Sequence, residues 1–218
     1  MNYQLELDKL INELQKKQTD AAYHVPRLLL HSCCAPCSSY VLEYLSQYFA
    51  ITVLYYNPNI FPEEEYRKRV EEQKRLIEAL NEEKSGYKID IIEGDYQPES
   101  FLELVKGYEL CPEGGERCKL CFRQRLEATA SLAKSQGFDY FATTLTVSPL
   151  KNATVLNELG LALAEEYDVS YLVSDFKKKN GYKTSIELSK KYDLYRQDYC
   201  GCAFSKAERE LQKQKNAD

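Results

Sequence analysis

Arg27-Leu28-Leu29-Leu30-His31-Ser32-Cys33-Cys34-Ala35-Pro36-Cys37, residues 27–37, decides how the chain is read. The first half is a short apolar run, the pattern of a strand buried on both faces. The second half reads as a thiol-rich loop. In a strand, Cys33 and Cys34 would point to opposite faces, so both sulfurs reach one site only where the backbone has left strand geometry. Ala35-Pro36 marks that departure. Val41, Leu42, Leu45 and Phe49 then recur at helical spacing.

Strand and helix patterns continue on either side. Upstream, Leu7, Leu10, Ile11 and Leu14 predict a helix over 3–18, ended by Pro26. Downstream, 51–56 reads as a strand stopped by Asn57-Pro58-Asn59. Pro62 sits at a helix first turn with Glu63, Glu64 and Glu65, where acidic side chains suit the positive end of the helix dipole. Further strands are expected at 87–92, 138–145 and 171–176. A short helix is expected around Phe101, Leu102 and Val105, and a long one over 119–136. Asn152 looks like the N-cap of a helix carrying Val155, Leu159 and Leu163. Ile186 and Leu188 lie on another that closes near Tyr192, and 205–218 reads as a polar helix or a frayed end.

This alternation predicts an α/β fold, a mostly parallel five-stranded sheet with helices on both faces. Residues 1–25 form a helical extension and 26–218 a single domain. The Cys33-Cys34 segment and the 143–152 segment follow strands one and four, so both should open onto the carboxyl edge of the sheet.

Composition narrows the function. With 44% hydrophobic and 29% charged residues, the 218-residue chain is ordinary globular protein. No apolar run approaches the roughly 20 residues of a membrane span. The charged, amphipathic start is not a secretory signal. A cytoplasmic location is expected, with no membrane partner. Eight cysteines in a reducing compartment read as metal ligands or catalytic thiols. A net charge of −5 argues against nucleic-acid binding by bulk electrostatics. A local basic face remains open, at Lys177, Lys178, Lys179, Lys183, Lys190, Lys191 and Arg196, or around Arg117, Lys119, Arg123 and Arg125.

The cysteines fall into three groups. Cys118 and Cys121 are spaced i, i+3 where a helix begins, and the helix end with Arg117, Lys119 and Arg123 should favour their thiolates. Alone, such a pair fits zinc, a redox dithiol or an iron–sulfur cluster. With Cys33 and Cys34 it supplies four thiolates, the complement of a 4Fe–4S cluster. Cys37 lies within reach as ligand to a second metal. Cys200-Gly201-Cys202 reads either as a cycling disulfide, strained across its glycine, or as two further ligands. His31 is expected to be a satisfied core histidine, and Cys111 a spectator. Tyr195, Tyr199 and Asp198 flank the last pair and offer stacking surfaces or protons.

Five stretches carry a family resemblance: LLLHSCCAPCS at 28–38, YYNPNIFPEEEYRKR at 55–69, RCKLCFRQRL at 117–126, TTLTVSPLKN at 143–152 and GYKTSIELSKKYDLYRQDYCGC at 181–202. In this order they resemble the QueH-type epoxyqueuosine reductases. The resemblance implies an adenine-nucleotide-hydrolase-like sheet and an iron–sulfur oxidoreductase. Its reaction would remove the epoxide oxygen of epoxyqueuosine at the wobble position of tRNA, giving queuosine and water. It implies a 4Fe–4S cluster on Cys33, Cys34, Cys118 and Cys121, a second mononuclear metal (iron) nearby, and Cys200 and Cys202 as a redox-active disulfide pair. An external electron donor is then required. Cys37 stands where some members carry a carboxylate.

Two rival readings fit some of these residues. A tRNA sulfurtransferase would activate its base with ATP through a glycine-rich loop after strand one. Ser-Cys-Cys-Ala-Pro-Cys has no glycine there, so no ATP use is expected. A zinc-stabilised RNA-binding module would be colourless, whereas an iron–sulfur protein would be brown.

Overall fold

A computed structural model of the chain describes residues 1–20 and 22–215. The apolar run becomes β1 (Arg27–His31), the middle strand of a sheet ordered β3-β2-β1-β4-β5. Its companions are β2 (Ala50–Tyr55), β3 (Ile89–Glu93), β4 (Tyr140–Thr143) and β5 (Ser170–Tyr171), and every pairing is parallel. The chain builds outward from β1 to β3, then returns to the opposite side of β1 for β4 and β5. Such a reversal opens a crevice beyond the carboxyl ends of the two strands at the switch, here β1 and β4.

Helices α1 (Tyr3–Lys17), α2 (Ala35–Leu45), α3 (Glu63–Glu83), α4 (Pro98–Leu104), α5 (Glu116–Ser135), α6 (Ala153–Tyr167), α7 (Gly181–Lys191) and α8 (Ala203–Lys215) complete the chain. Two-residue alternation sorts the core into layers. Leu28 and Leu30 share one cluster with Leu7 of α1, Val41 of α2 and Leu76 of α3. Leu29 points the other way, into Leu126 and Ala130 of α5 and Leu156 of α6. All three β1 leucines are fully buried, each worth about 1.5–3 kcal/mol by transfer. No helix among the described residues is long and apolar enough to cross a membrane.

Several boundaries differ from the sequence reading, three of them at the site edge of the sheet. The fifth strand, expected over 171–176, is only Ser170–Tyr171. Leu172 N–H still reaches Phe141 O at 2.9 Å, but β4 itself stops at Thr143 rather than continuing to 145. There the Thr143 hydroxyl accepts Leu145 N–H at 3.2 Å and starts a 3-10 turn, Thr144–Val147. Residues beyond 172 therefore have no strand to pair with. The 33–37 loop is also shorter than expected: Cys34 is an N-cap and α2 begins at Ala35, with Pro36 in its first turn. Asn152 caps α6 as anticipated, accepting Thr154 and Val155 N–H. The tail is helical as α8, and 216–218 of that reading lie outside the described residues.

Helix α6 rests directly on β5 through Gly160. A Cβ there would fall 2.3–2.5 Å from three carbons of the Tyr171 ring. Tyr171 is buried against Phe141, with ring centroids 5.0 Å apart, and has little room to yield. Gly160→Ala is expected to destabilise the chain by about 1–3 kcal/mol through overpacking. Urea unfolding measures this, and an unchanged midpoint refutes the contact.

Candidate metal centre and thiol cleft

A buried polar belt underlies the carboxyl edge. His31, the last residue of β1, is wholly buried, with Nδ1 3.0 Å from Thr143 Oγ1 and Nε2 3.3 Å from Asn57 Oδ1. Asn57 Nδ2 donates to Ser32 O at 2.7 Å, which leaves Oδ1 as the acceptor and places the imidazole proton on Nε2. Burial, then the nearby Arg125 charge, pushes the His31 pKa down to about 4. This histidine is a neutral brace across β4, β1 and the end of β2. The expectation of a satisfied core histidine is met.

Just past the belt, Cys33, Cys34 and Cys37 bring their sulfurs together, all within 4.8 Å of one another. The local cause is the start of α2. Cys34 is the N-cap and Cys37 the third helical residue, positions whose side chains face each other across a helix first turn. Hydrogen bonds from the Cys33 and Cys37 thiols hold Cys34 well below the usual thiol range, against burial and with help from the Arg69 charge. Cys33 and Cys37 are correspondingly raised. The trio is a converging set of three soft donors, a tripod able to exchange its protons for a metal ion.

The other pairs gather one layer deeper. Cys118, Cys121, Cys200 and Cys202 line one small inner cavity, with Asn59, Arg117 and Arg125. Cys118 accepts Gly114 N–H at 3.2 Å, and Cys202 accepts Ser205 N–H at 3.3 Å at the start of α8. The Cys-Gly-Cys turn is tied to α3 and to the segment just before it, far along the chain. Arg69 Nη1 donates to Cys200 O at 3.2 Å, and Phe61 N–H donates to Gly201 O at 2.9 Å. Gly201 holds φ at +130°, which lets Cys200 also face outward while Cys202 faces in.

Outward of the tripod lies a cleft of about 480 Å³. Cys33, Cys34, Cys37 and Cys200 share its wall with Lys151 and Glu113, and Tyr182, Tyr199, Arg196 and Arg209 also line it. The thiols flanking strand one and those at the far end of the chain thus converge at the sheet edge the sequence indicated.

The four-thiolate set expected for a 4Fe–4S cluster is not what this fold assembles. Among the described residues, Cys33, Cys34 and Cys37 are the one group of three or more potential metal ligands that converge. Cys33 and Cys34 therefore partner Cys37, through the helix-start geometry, rather than Cys118 and Cys121. The expected 4Fe–4S cluster, and with it the iron–sulfur oxidoreductase, gives way to a mononuclear three-cysteine site. The redox-active disulfide is corrected as well, because all eight cysteines are free thiols.

Electrostatics around Cys118 and Cys121 also differ from expectation. Arg117 is bound to Glu208, Lys119 to Glu116 and Arg123 to Glu166. Burial dominates, raising Cys118 and pushing Cys121 up to about 12. The cation within the thiol layer is Arg125, 1% exposed, whose Nε donates to Cys121 O at 3.1 Å and whose Nη2 has no partner. The basic crowding near 177–196 mostly resolves into surface ion pairs: Lys177 with Asp175, Lys179 with Asp8, Lys191 with Glu83. Sequence reasoning missed Lys151, Glu113 and Arg69 as site residues. For Lys151 the available signal was its place in the 143–152 segment, beyond strand four. Cys111 lines neither cavity.

Fold and site define a class: a parallel α/β protein with a thiol-lined cleft at the switch point of its sheet. The family model described as "Epoxyqueuosine reductase QueH" matches residues 28–208. The chain is 45% identical over 207 residues to the Staphylococcus aureus protein of that name, covering 94% of this chain and 84% of the relative. It is 43% identical over 204 residues to the Streptococcus pyogenes protein, covering 94% and 79%. The Thermotoga maritima protein is 35% identical over 188 residues, covering 84% and 91%. The chain belongs to the QueH family of epoxyqueuosine reductases.

Gly201 tests how the site is built. A Cβ there would meet Ile60 Cγ1 at 3.0 Å and Arg69 Nη1 at 3.1 Å, and its φ disfavours any side chain. Gly201→Ala is expected to cost about 1–3 kcal/mol in urea unfolding. Protease protection of the 195–205 segment should fall with it. A fully stable, equally protected variant contradicts the geometry described.

Proposed function

We propose that the chain is an epoxyqueuosine reductase, removing the epoxide oxygen of epoxyqueuosine at the wobble base of tRNA and leaving queuosine and water. The observation that carries this reading is the single cleft in which Cys33, Cys34, Cys37 and Cys200 meet, in a chain of the QueH family. Family membership also displaces the sulfurtransferase and the non-enzymatic RNA-binding module as rivals.

The reaction breaks both carbon–oxygen bonds of the epoxide, forms a carbon–carbon double bond, and needs two electrons and two protons. The electrons come from an external donor. The residues present fit a metal: three soft donors converge beside an open cleft, and the pKa of one of them, Cys34, is lowered by its two neighbours. Cys33, Cys34 and Cys37 would hold it, and when bound it supplies a Lewis acid for the epoxide oxygen.

Cys200 and Cys202 are the proposed catalytic cysteines. Cys200 presents its sulfur to the cleft, and Cys202 stands behind it in the inner cavity. Tyr182 and Tyr199 offer ring faces to a displaced base, and Arg196 and Arg209 offer guanidinium groups to phosphate. Tyr199 is braced for this, its hydroxyl donating to Phe61 O at 3.2 Å.

The sheet order and its crevice support an adenine-nucleotide-hydrolase-like fold. Leu7, Ile11 and Leu14, buried in the common core, support residues 1–25 as an extension docked on a single domain of 26–218. Eight free thiols and a tRNA substrate support a cytoplasmic location.

Replacing Cys200 and Cys202 together by serine should abolish conversion of epoxyqueuosine in tRNA, read by mass spectrometry of digested nucleosides. Bound metal should be unchanged. Full turnover by the double variant rejects the assignment of these cysteines.

A further inference from the structure

Lys151 is the one strongly buried lysine in the cleft. It is 8% exposed, although it sits in the short loop between the 3-10 turn and α6. Its Nζ lies 2.7 Å from Glu113 Oε1 and 3.1 Å from Cys200 Sγ. Three distant segments therefore meet at one ammonium. The backbone on each side is fixed: Lys151 N–H donates to Ser148 O at 3.2 Å, and the Asn152 side chain caps α6.

A surface ion pair is the ordinary explanation of a lysine beside a glutamate. Burial rules it out here, since withdrawing an ammonium from water is costly unless its surroundings are built to receive it. A proton donor is the second explanation. Burial opposes the charge on Lys151, but Cys200 and Glu113 outweigh it and hold the amine above the ordinary lysine range. A group so basic is poorly matched to proton transfer at neutral pH. What remains is a fixed charge aimed at a sulfur.

We propose that Lys151 is a positioning residue of the reaction site: its ammonium, anchored by Glu113, holds the Cys200 sulfur at the cleft wall through a charge-assisted N–H···S hydrogen bond. The inference rests on the reading of Cys200 as a catalytic cysteine. It adds to that reading the group that orients the sulfur at the cleft wall. Glu113 acts at one remove, by keeping the ammonium from turning toward solvent.

The test uses the full chain without substrate. Alkylation of each cysteine by iodoacetamide at pH 7.5 is followed by peptide mass spectrometry, with Cys111 as internal reference. Lys151→Met should slow Cys200 alkylation by about tenfold or more, and Lys151→Arg should stay within about threefold of the parent. Glu113→Gln should give a smaller fall in the same direction, and Cys111 should not change in any variant. Circular dichroism checks each fold, and Lys151→Gln replaces the methionine variant if that one unfolds. With epoxyqueuosine tRNA, Lys151→Met should lower kcat with little change in KM. A Cys200 rate within twofold of the parent in Lys151→Met overturns the proposal, as does an equal loss in Lys151→Arg. If the alkylation pattern holds while the parent chain shows no turnover, the functional reading fails and the Lys151–Cys200 link stands.

Discussion

The whole site depends on β1 ending where it does. A central parallel strand is hydrogen-bonded on both sides, so its carboxyl end must release the chain into the crevice left by the reversal of strand order. The His31–Thr143–Asn57 belt closes the sheet at that level with neutral, mutually satisfied groups. Beyond it the backbone turns at once into α2, and the turn itself gathers three sulfurs. No long loop is needed, and little ordering entropy has to be overcome when a ligand arrives.

Charge in this region is arranged sparingly. Burial alone would keep every thiol neutral, and at Cys121 it does. Cys34 escapes because two neighbouring thiols donate to it and Arg69 lies close by. Arg69 and Arg125 are both 1% exposed and both keep an unpartnered Nη2. Buried guanidinium groups of this kind are expensive, at several kcal/mol each after relaxation, so they point to negative charge nearby. Arg69 also has Glu65, at 2.7 Å, whereas Arg125 has a backbone carbonyl, the Phe122 ring 5.6 Å away and the surrounding sulfurs.

Much of this was legible in the sequence. The leucines of β1 announced a doubly covered strand, and the alternation of elements announced a parallel sheet with its site on one edge. The Asn152 cap read correctly because its chemistry is local. Strand ends read less well: Thr143 closes β4 with a side-chain hydrogen bond that propensity does not register, and β5 shortens in consequence. The thiol grouping was misread for a related reason. Counting cysteines joined 33/34 to 118/121, but an N-cap and the third helical residue are already neighbours, so Cys37 takes that place. Lys151 was hidden because nothing in its own loop indicates that Glu113 and Cys200 come to meet it.

The central claim is that Cys33, Cys34 and Cys37 form a metal centre that does not draw on Cys118 and Cys121. Metal and acid-labile sulfide per chain, measured after anaerobic purification and desalting, test it most directly. The account predicts a single metal ion without sulfide, lost in Cys34→Ala and retained when Cys118 and Cys121 are both replaced by alanine. Several iron ions accompanied by sulfide, disappearing with Cys118 and Cys121, would contradict it.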